Sequence, residues 1–324
     1  MTQLDLCLSV METEGVDAVL LGREANARAI AGTARLWLAG TRAFAPSCVV
    51  VRATGAVHVL ANSDDSVPPD FPVDHLFGIT WSAEHFAASL SAISGLTEAR
   101  RVATDGMTPA MFHMLTAVMP EATFVDAGPL ISQLWVTPSP ERAEGVRASA
   151  AIARAGLDAM AQALRPGTRA RTLRGACAAT FAQLGVTTPA FEAVAAPLEG
   201  GGSTWLPPER FFGEGEPVVL RAGVLRDGWE ASVARSYIVD EPSRELDEPE
   251  GWRDVTGRCT SGATIGDLRA RGAIAYGVGH GVEPWDDDVA FEPGMVVALE
   301  LQDGSRLRQD VVLIGDGPPE ILTS

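Results

Sequence analysis

The segment from Pro217 to Val239, PVVLRAGVLRDGWEASVARSYIV, constrains the fold more than any other. β-Branched runs stand on either side of a glycine turn. The expectation is a hairpin with one strand over Val218 to Gly223, a turn at Arg226-Asp227-Gly228, and a second strand over Glu230 to Val239. Arg221 places a permanent cation inside an otherwise apolar strand, and a guanidinium cannot shed its proton to escape burial.

The surrounding chain has room for two domains, since 324 residues support more than one hydrophobic core. Twenty-five basic residues, all arginine, stand against 42 acidic ones and give a formal charge of −17. That balance disfavours nucleic acid and anionic membrane surfaces as partners. Four scattered cysteines, Cys7, Cys48, Cys177 and Cys259, form no CxxC pair and read as buried thiols of a reducing compartment. The amphipathic start MTQLDLCLSVMETEG reads as a helix rather than a signal peptide. No apolar run reaches the roughly 20 residues of a membrane span. The expected location is cytoplasmic.

Residues 1–135 alternate helix and strand signals. Helices are expected over Leu4 to Glu14, Asn26 to Ala31, Trp81 to Ile93 and Thr108 to Met119. A buried strand is expected at Ala18 to Leu21, and a strand pair, Ser47 to Val51 and Ala56 to Leu60, across Arg52 to Gly55. Residues 136–140, with Pro138 and Pro140, form the linker, and residues 141–324 the second domain. There Ser139 and Pro140 cap a long helix over Glu141 to Leu164, followed by another over Ala170 to Leu184. The expected fold class is therefore α+β.

Beyond the hairpin come Gly277-Val278-Gly279-His280-Gly281-Val282, Glu292-Pro293-Gly294-Met295-Val296 and Ala298-Leu299-Glu300. With these motifs the chain resembles the pita-bread metallopeptidases, the family of methionine aminopeptidases, aminopeptidase P, prolidases and creatinase. Asn26 to Gly32 resembles, without its aromatic, a signature of creatinase-type N-terminal domains. The resemblance implies a small α/β creatinase-like N-terminal domain and a C-terminal pita-bread domain, a curved, mixed or antiparallel sheet covered by helices. It also implies a homodimer. The segment between Gly251 and Gly279, which should hold a helix and a strand, looks trimmed.

The family's metal-binding members hold two divalent ions with two Asp, one His and two Glu. The matching positions here are Arg221, Ser232, His280, Glu300 and Gln309. Paired dications need several carboxylates to offset their charge. A unit charge about 4 Å from a guanidinium is repelled by about 4 kcal/mol at an effective dielectric of 20, and a dication by twice that. No metal or other cofactor is therefore expected. Arg221 and Glu300 are expected to pair in place of the metal bridge. The alternative is an Arg221 that snorkels to solvent.

His280, between glycines, is the candidate acid/base, with Glu300 as a second carboxylate. It competes with a histidine kept only for packing. Arg221, Arg235, Ser232 and Gln309 are candidate substrate-binding groups, and Trp205, Trp229 and Trp285 candidate pocket walls. The loop matching the one that carries creatinase's catalytic histidine ends here in Trp205, which weighs against creatinase chemistry. His58, His75, His85 and His113 read as surface or packing residues. Gly200-Gly201-Gly202 lacks the GK[ST] of a phosphate loop, and Asp286-Asp287-Asp288 lacks EF-hand spacing.

Three readings follow. One is a metal-independent enzyme acting on a small amino-acid-like or peptide-like substrate by C–N hydrolysis, elimination or isomerisation. Another is a non-catalytic pseudopeptidase that binds a peptide or protein. The third is a metallopeptidase with a displaced single metal held by His280, Glu300 and Asp310.

Overall fold

The computed structural model describes residues 2–34, 47–61, 67–78, 82–106, 108–198, 210–304 and 306–324. They form two compact units, Met1–Trp135 and Val136–Ser324.

In the first unit the order is α1 (Gln3–Thr13), β1 (Ala18–Leu21), α2 (Glu24–Ala31), β2 (Cys48–Val51), β3 (Ala56–Ala61), β4 (Leu76–Gly78), α3 (Ala83–Ser91), β5 (Arg101–Thr104), α4 (Pro109–Val118), β6 (Thr123–Asp126) and α5 (Gly128–Val136). AVLL and CVVV are buried at every position, which requires cover on both sheet faces. The helices supply it around a six-stranded sheet ordered β4-β3-β2-β1-β5-β6. Side-chain caps set the helix starts: Thr2 with Asp5 closes a capping box on α1, and Ser82 and Thr108 accept from the backbone of α3 and α4. The cap at Ser82 explains why α3 begins later than the apolar spacing from Trp81 suggests.

His58 on β3 is 4% exposed, with its ring 4.5 Å from that of His75 and 5.8 Å from that of Phe77. Among the described residues, neither of its ring nitrogens has a hydrogen-bond partner. Burial, then the neighbouring His75, lowers its pKa from 6.5 to about 4. Above pH 6.5 both folded and unfolded His58 are neutral and the residue adds no pH dependence. Between pH 6.5 and 4 only the unfolded chain takes the proton, so stability falls by up to about 3 kcal/mol. Denaturant titrations of the chain at pH 7, 5 and 4 are expected to show this loss in the first unit. His58→Phe, which keeps the ring packing, is expected to flatten it.

In the second unit the order is α6 (Pro140–Ala163), α7 (Ala170–Gln183), β7 (Val194–Pro197), β8 (Pro217–Arg226), β9 (Trp229–Ile238), β10 (Arg244–Glu245), α8 (Trp252–Gly257), α9 (Ile265–Arg269), β11 (Ile274–Val278), β12 (Val282–Glu283), β13 (Val296–Asp303), β14 (Arg306–Leu313) and β15 (Glu320–Ile321). Ser139 caps α6, with Pro140 in its first turn. The hairpin is longer than its β-branched runs suggest, because Asp227 and Gly228, at φ 49° and 83°, make a two-residue turn that keeps Arg226 opposite Trp229.

The sheet runs β12-β11-β13-β14-β9-β8-β7, with β10 added beside β9 and β15 beside β14. It has two halves. One, β7-β8-β9, packs on α6 and α7 through Val218, Leu220, Ala222 and Val233. The other, β11-β13-β14, packs on α8 and α9 through Ala275, Val297 and Leu299. The halves join where Arg308 pairs with Arg235 and Gln309 with Ala234. Between Gly251 and Gly279 the expected helix is two short ones, α8 of 6 residues and α9 of 5. The result is a curled antiparallel sheet with helices on its outer side, preceded by an α/β unit, as the fold class anticipates.

Candidate functional site

Strand register puts the chemistry on one line across the sheet. Val194 pairs with Arg221, Arg221 with Ala234, Ala234 with Gln309, Gln309 with Glu300, and Glu300 with Ile274. Cross-strand partners share a face, so Arg221, Gln309 and Glu300 project to the same side. In a flat sheet Arg221 and Glu300 would stand three strands apart, about 14 Å. Here the Arg221 Nη2 to Glu300 Oε2 distance is 2.5 Å. Curling of the sheet and the methyl-sized Ala234 between them let two long side chains meet. The Arg221 side chain is 3% exposed and that of Glu300 13%, so Arg221 does not snorkel to solvent.

Beside this ion pair, Gln309 Nε2 donates to Ser232 Oγ at 2.9 Å and to Tyr276 Oη at 2.7 Å. These five side chains floor a cavity of about 760 Å³. Phe191, Ile274, Val282 and Pro284 supply apolar walls, and Glu230 and Arg269 also line it. Burial pushes the Tyr276 phenol up to about 12, so it stays a neutral donor at ordinary pH. Arg269 is held by Asp287 and by the carbonyls of Ala275 and Trp285.

Of the residues singled out in the sequence, Arg221, Ser232, Glu300 and Gln309 come together in this cavity. His280, Trp229, Trp285 and Arg235 are not among its lining residues. His280 Nδ1 lies 2.9 Å from the carbonyl oxygen of Gly228, and because a carbonyl only accepts, that nitrogen carries the proton. Its ring stacks on Trp229 at 3.9 Å. Trp229 in turn presses on α6, where only a glycine fits: a Cβ on Gly145 would lie 2.4 Å from the indole. Trp285 packs the same way on Gly277, at 2.1 Å from a Cβ built there, and belongs to the core under α8 and α9. Trp205 lies outside the described residues, as does Gly200-Gly201-Gly202.

Arg235 falls on the opposite face because it follows Ala234 by one residue. It is 2% exposed and donates to the carbonyls of Ala234 and Gln309, each at 2.8 Å. It also donates to Asp310 at 2.5 Å and to the Thr323 carbonyl at 3.2 Å. Asp310, completely buried, further accepts from Arg308 at 2.7 Å and Thr323 Oγ1 at 2.7 Å. Asp310 therefore does not face Glu300. Among the described residues, no group of three or more His, Cys, Asp or Glu is gathered so as to hold a metal ion. A guanidinium, a hydroxyl, a carboxamide, one carboxylate and an imidazole bonded to Gly228 do not fit a pair of dications.

Sequence reasoning passed over Glu230, Tyr276 and Phe191. The period of two was the available signal for the first, since Glu230 precedes Ser232 by two residues and so shares its face. Phe191 has a structural trace in Gly223, where a Cβ would lie 2.4 Å from its ring.

An α/β unit followed by a curled antiparallel sheet, with its polar row at the joint of the sheet's two halves, defines a two-domain protein of the creatinase type. The chain belongs to metallopeptidase family M24, whose profile matches residues 144–313, while that of the creatinase/prolidase N-terminal domain matches residues 3–134. Several solved structures share the fold at low identity. A dipeptidase from Pyrococcus horikoshii OT3 is 20% identical over 100% of this chain and 98% of its own, with a TM-score of 0.78. The prolidase from Pyrococcus furiosus is 16% identical over 99% of each chain, at 0.76. Proline aminopeptidase P II from Yersinia pestis is 15% identical over 100% of this chain and 96% of its own, at 0.70. No curated protein matches significantly by sequence. Among the described residues, no helix is long and apolar enough to cross a membrane.

Proposed function

We propose that this is a family M24 protein that works without the paired divalent ions, taking a small amino-acid-like or peptide-like ligand into the cavity on Arg221, Ser232, Glu300 and Gln309. The observation that carries the reading is the 2.5 Å ion pair between Arg221 and Glu300. It sets a permanent cation against the one carboxylate that remains at the five ligand positions, and a dication entering there would have to displace it.

Binding without hydrolysis is favoured over peptidase chemistry by the environment of His280, whose ring is engaged by Gly228 and Trp229. A metal-independent enzyme is the second reading, supported by Glu230 and Glu300, two carboxylates lining one cavity with the Ser232 hydroxyl beside them. A homodimer belongs to the proposal on family grounds, and light scattering tests it.

Elemental analysis after purification without chelator or added metal is expected to find less than about 0.1 metal ion per chain, because a resident metal approaches stoichiometry. Xaa-Pro dipeptides are expected to survive incubation with the chain, with or without added Mn²⁺. Near-stoichiometric metal together with Mn²⁺-dependent release of proline would overturn the proposal. Turnover of a small C–N substrate by metal-free protein would select the second reading.

A further inference from the structure

The cavity floor has a definite hydrogen-bond polarity. One nitrogen, Gln309 Nε2, serves both hydroxyls, so its two hydrogens are committed to Ser232 and Tyr276. Each hydroxyl accepts there and keeps its own hydrogen for another partner. Gln309 is 1% exposed, and its Oε1 is buried with no hydrogen-bond partner among the described residues. Such an orphaned acceptor is destabilising, a penalty that a donor from a bound molecule removes. Gln309 is itself a lining residue, so its carboxamide lies beside whatever the cavity holds. Two donors and one acceptor thus meet around a single carboxamide.

Charge on the floor is internally matched. The Arg221 guanidinium contacts Glu300, and Arg269 is held by Asp287 outside the cavity lining. Both guanidiniums of the lining are thus already matched by carboxylates and offer no unmatched charge to a ligand carboxylate. Ile274 and Val282, 57% and 45% exposed, add apolar surface at the cavity wall.

We propose that the cavity selects an uncharged molecule carrying an amide whose N–H and C=O share one edge, as in a lactam, a diketopiperazine or a primary amide. The N–H is given to Gln309 Oε1, and the C=O accepts from the Ser232 and Tyr276 hydroxyls. Apolar substituents lie against Phe191, Ile274, Val282 and Pro284. An open-chain trans amide points its N–H and C=O in opposite directions and satisfies only half of this floor. A zwitterionic dipeptide would have to break the Arg221–Glu300 pair or bury unmatched charge beside it. The inference rests on the reading that the pocket takes a small ligand without metal.

The test is calorimetric titration of the full chain with the cyclic dipeptide of leucine and phenylalanine, and separately with linear leucyl-phenylalanine. The two differ by one water and by the terminal charges. The cyclic form is expected to bind at least about tenfold more tightly. Ser232→Ala and Tyr276→Phe, each checked for an unchanged fold by thermal melting, are each expected to weaken cyclic binding by about tenfold, with little effect on any linear binding. Equal or tighter binding of the linear form overturns the ligand class, as does failure of both to bind to metal-free protein. Metal-dependent cleavage of the linear form would instead sink the underlying metal-free reading.

Discussion

Replacing Asp310 with alanine is expected to remove about 3–5 kcal/mol from the stability of the second unit, the range for deleting one partner of a buried ion pair. Asp310 is fully buried and receives Arg235, Arg308 and the Thr323 hydroxyl. Its loss leaves the Arg235 guanidinium, itself 2% exposed, without its buried counter-charge. Burial already lowers the Arg235 pKa, and the Asp310 carboxylate is the leading opposing influence. Arg308 suffers less, because it also reaches Glu248 at 3.5 Å and lies over the Trp252 ring at 5.3 Å. Glu245, 3.4 Å from Arg235 but with its side chain 38% exposed, is the internal control. Glu245→Ala should cost at most about 1 kcal/mol, as solvent-screened pairs do. Urea denaturation of both variants measures the contrast. A loss below about 1 kcal/mol for Asp310→Ala would show that the cluster is hydrated in solution.

The same cluster shows where sequence reading reaches and where it stops. Arg235 and Arg221 stand on adjacent strands of one hairpin, and both look like candidates for a substrate carboxylate. They differ in which side of the pleat they face. Arg221 is paired with Ala234, so Arg235 must point the other way. That parity was legible, and it also places Glu230 with Ser232. The order of the strands was not legible from the hairpin alone. The Arg221–Glu300 contact needs β14 between β9 and β13, which the family resemblance supplied and local propensity did not.

His280, Trp229 and Trp285 teach a further point. Closeness in sequence to a motif suggested a shared pocket, yet packing decides where large rings go. Trp229 and Trp285 fill notches left by Gly145 and Gly277. A glycine inside the long helix α6, with no turn to make, was the available sign that a bulky ring crosses there.

Breaking the Arg221–Glu300 pair from one side is expected to be far more harmful than removing it whole. Glu300→Leu removes the carboxylate that faces a guanidinium whose side chain is 3% exposed, and Arg221→Met removes the guanidinium that faces a carboxylate whose side chain is 13% exposed. Each single variant should lose about 3–5 kcal/mol, with Glu300→Leu the worse because Arg221 is the deeper group and cannot neutralise itself. The double variant Arg221→Met/Glu300→Leu replaces both charges with apolar groups of similar length. It should return to within about 1 kcal/mol of the parent, since two buried charges are repaid only in part by their attraction. The coupling in this cycle is then several kcal/mol, well beyond the roughly 0.5 kcal/mol of independent sites. Additive losses would mean that the two side chains act separately, with Arg221 reaching solvent. A stable double variant that no longer binds the cyclic dipeptide would place the pair in ligand recognition rather than in folding. It would also separate the charge exchange at residue 221 from any need of the scaffold, because a sheet that folds equally well on methionine and leucine does not require either ion.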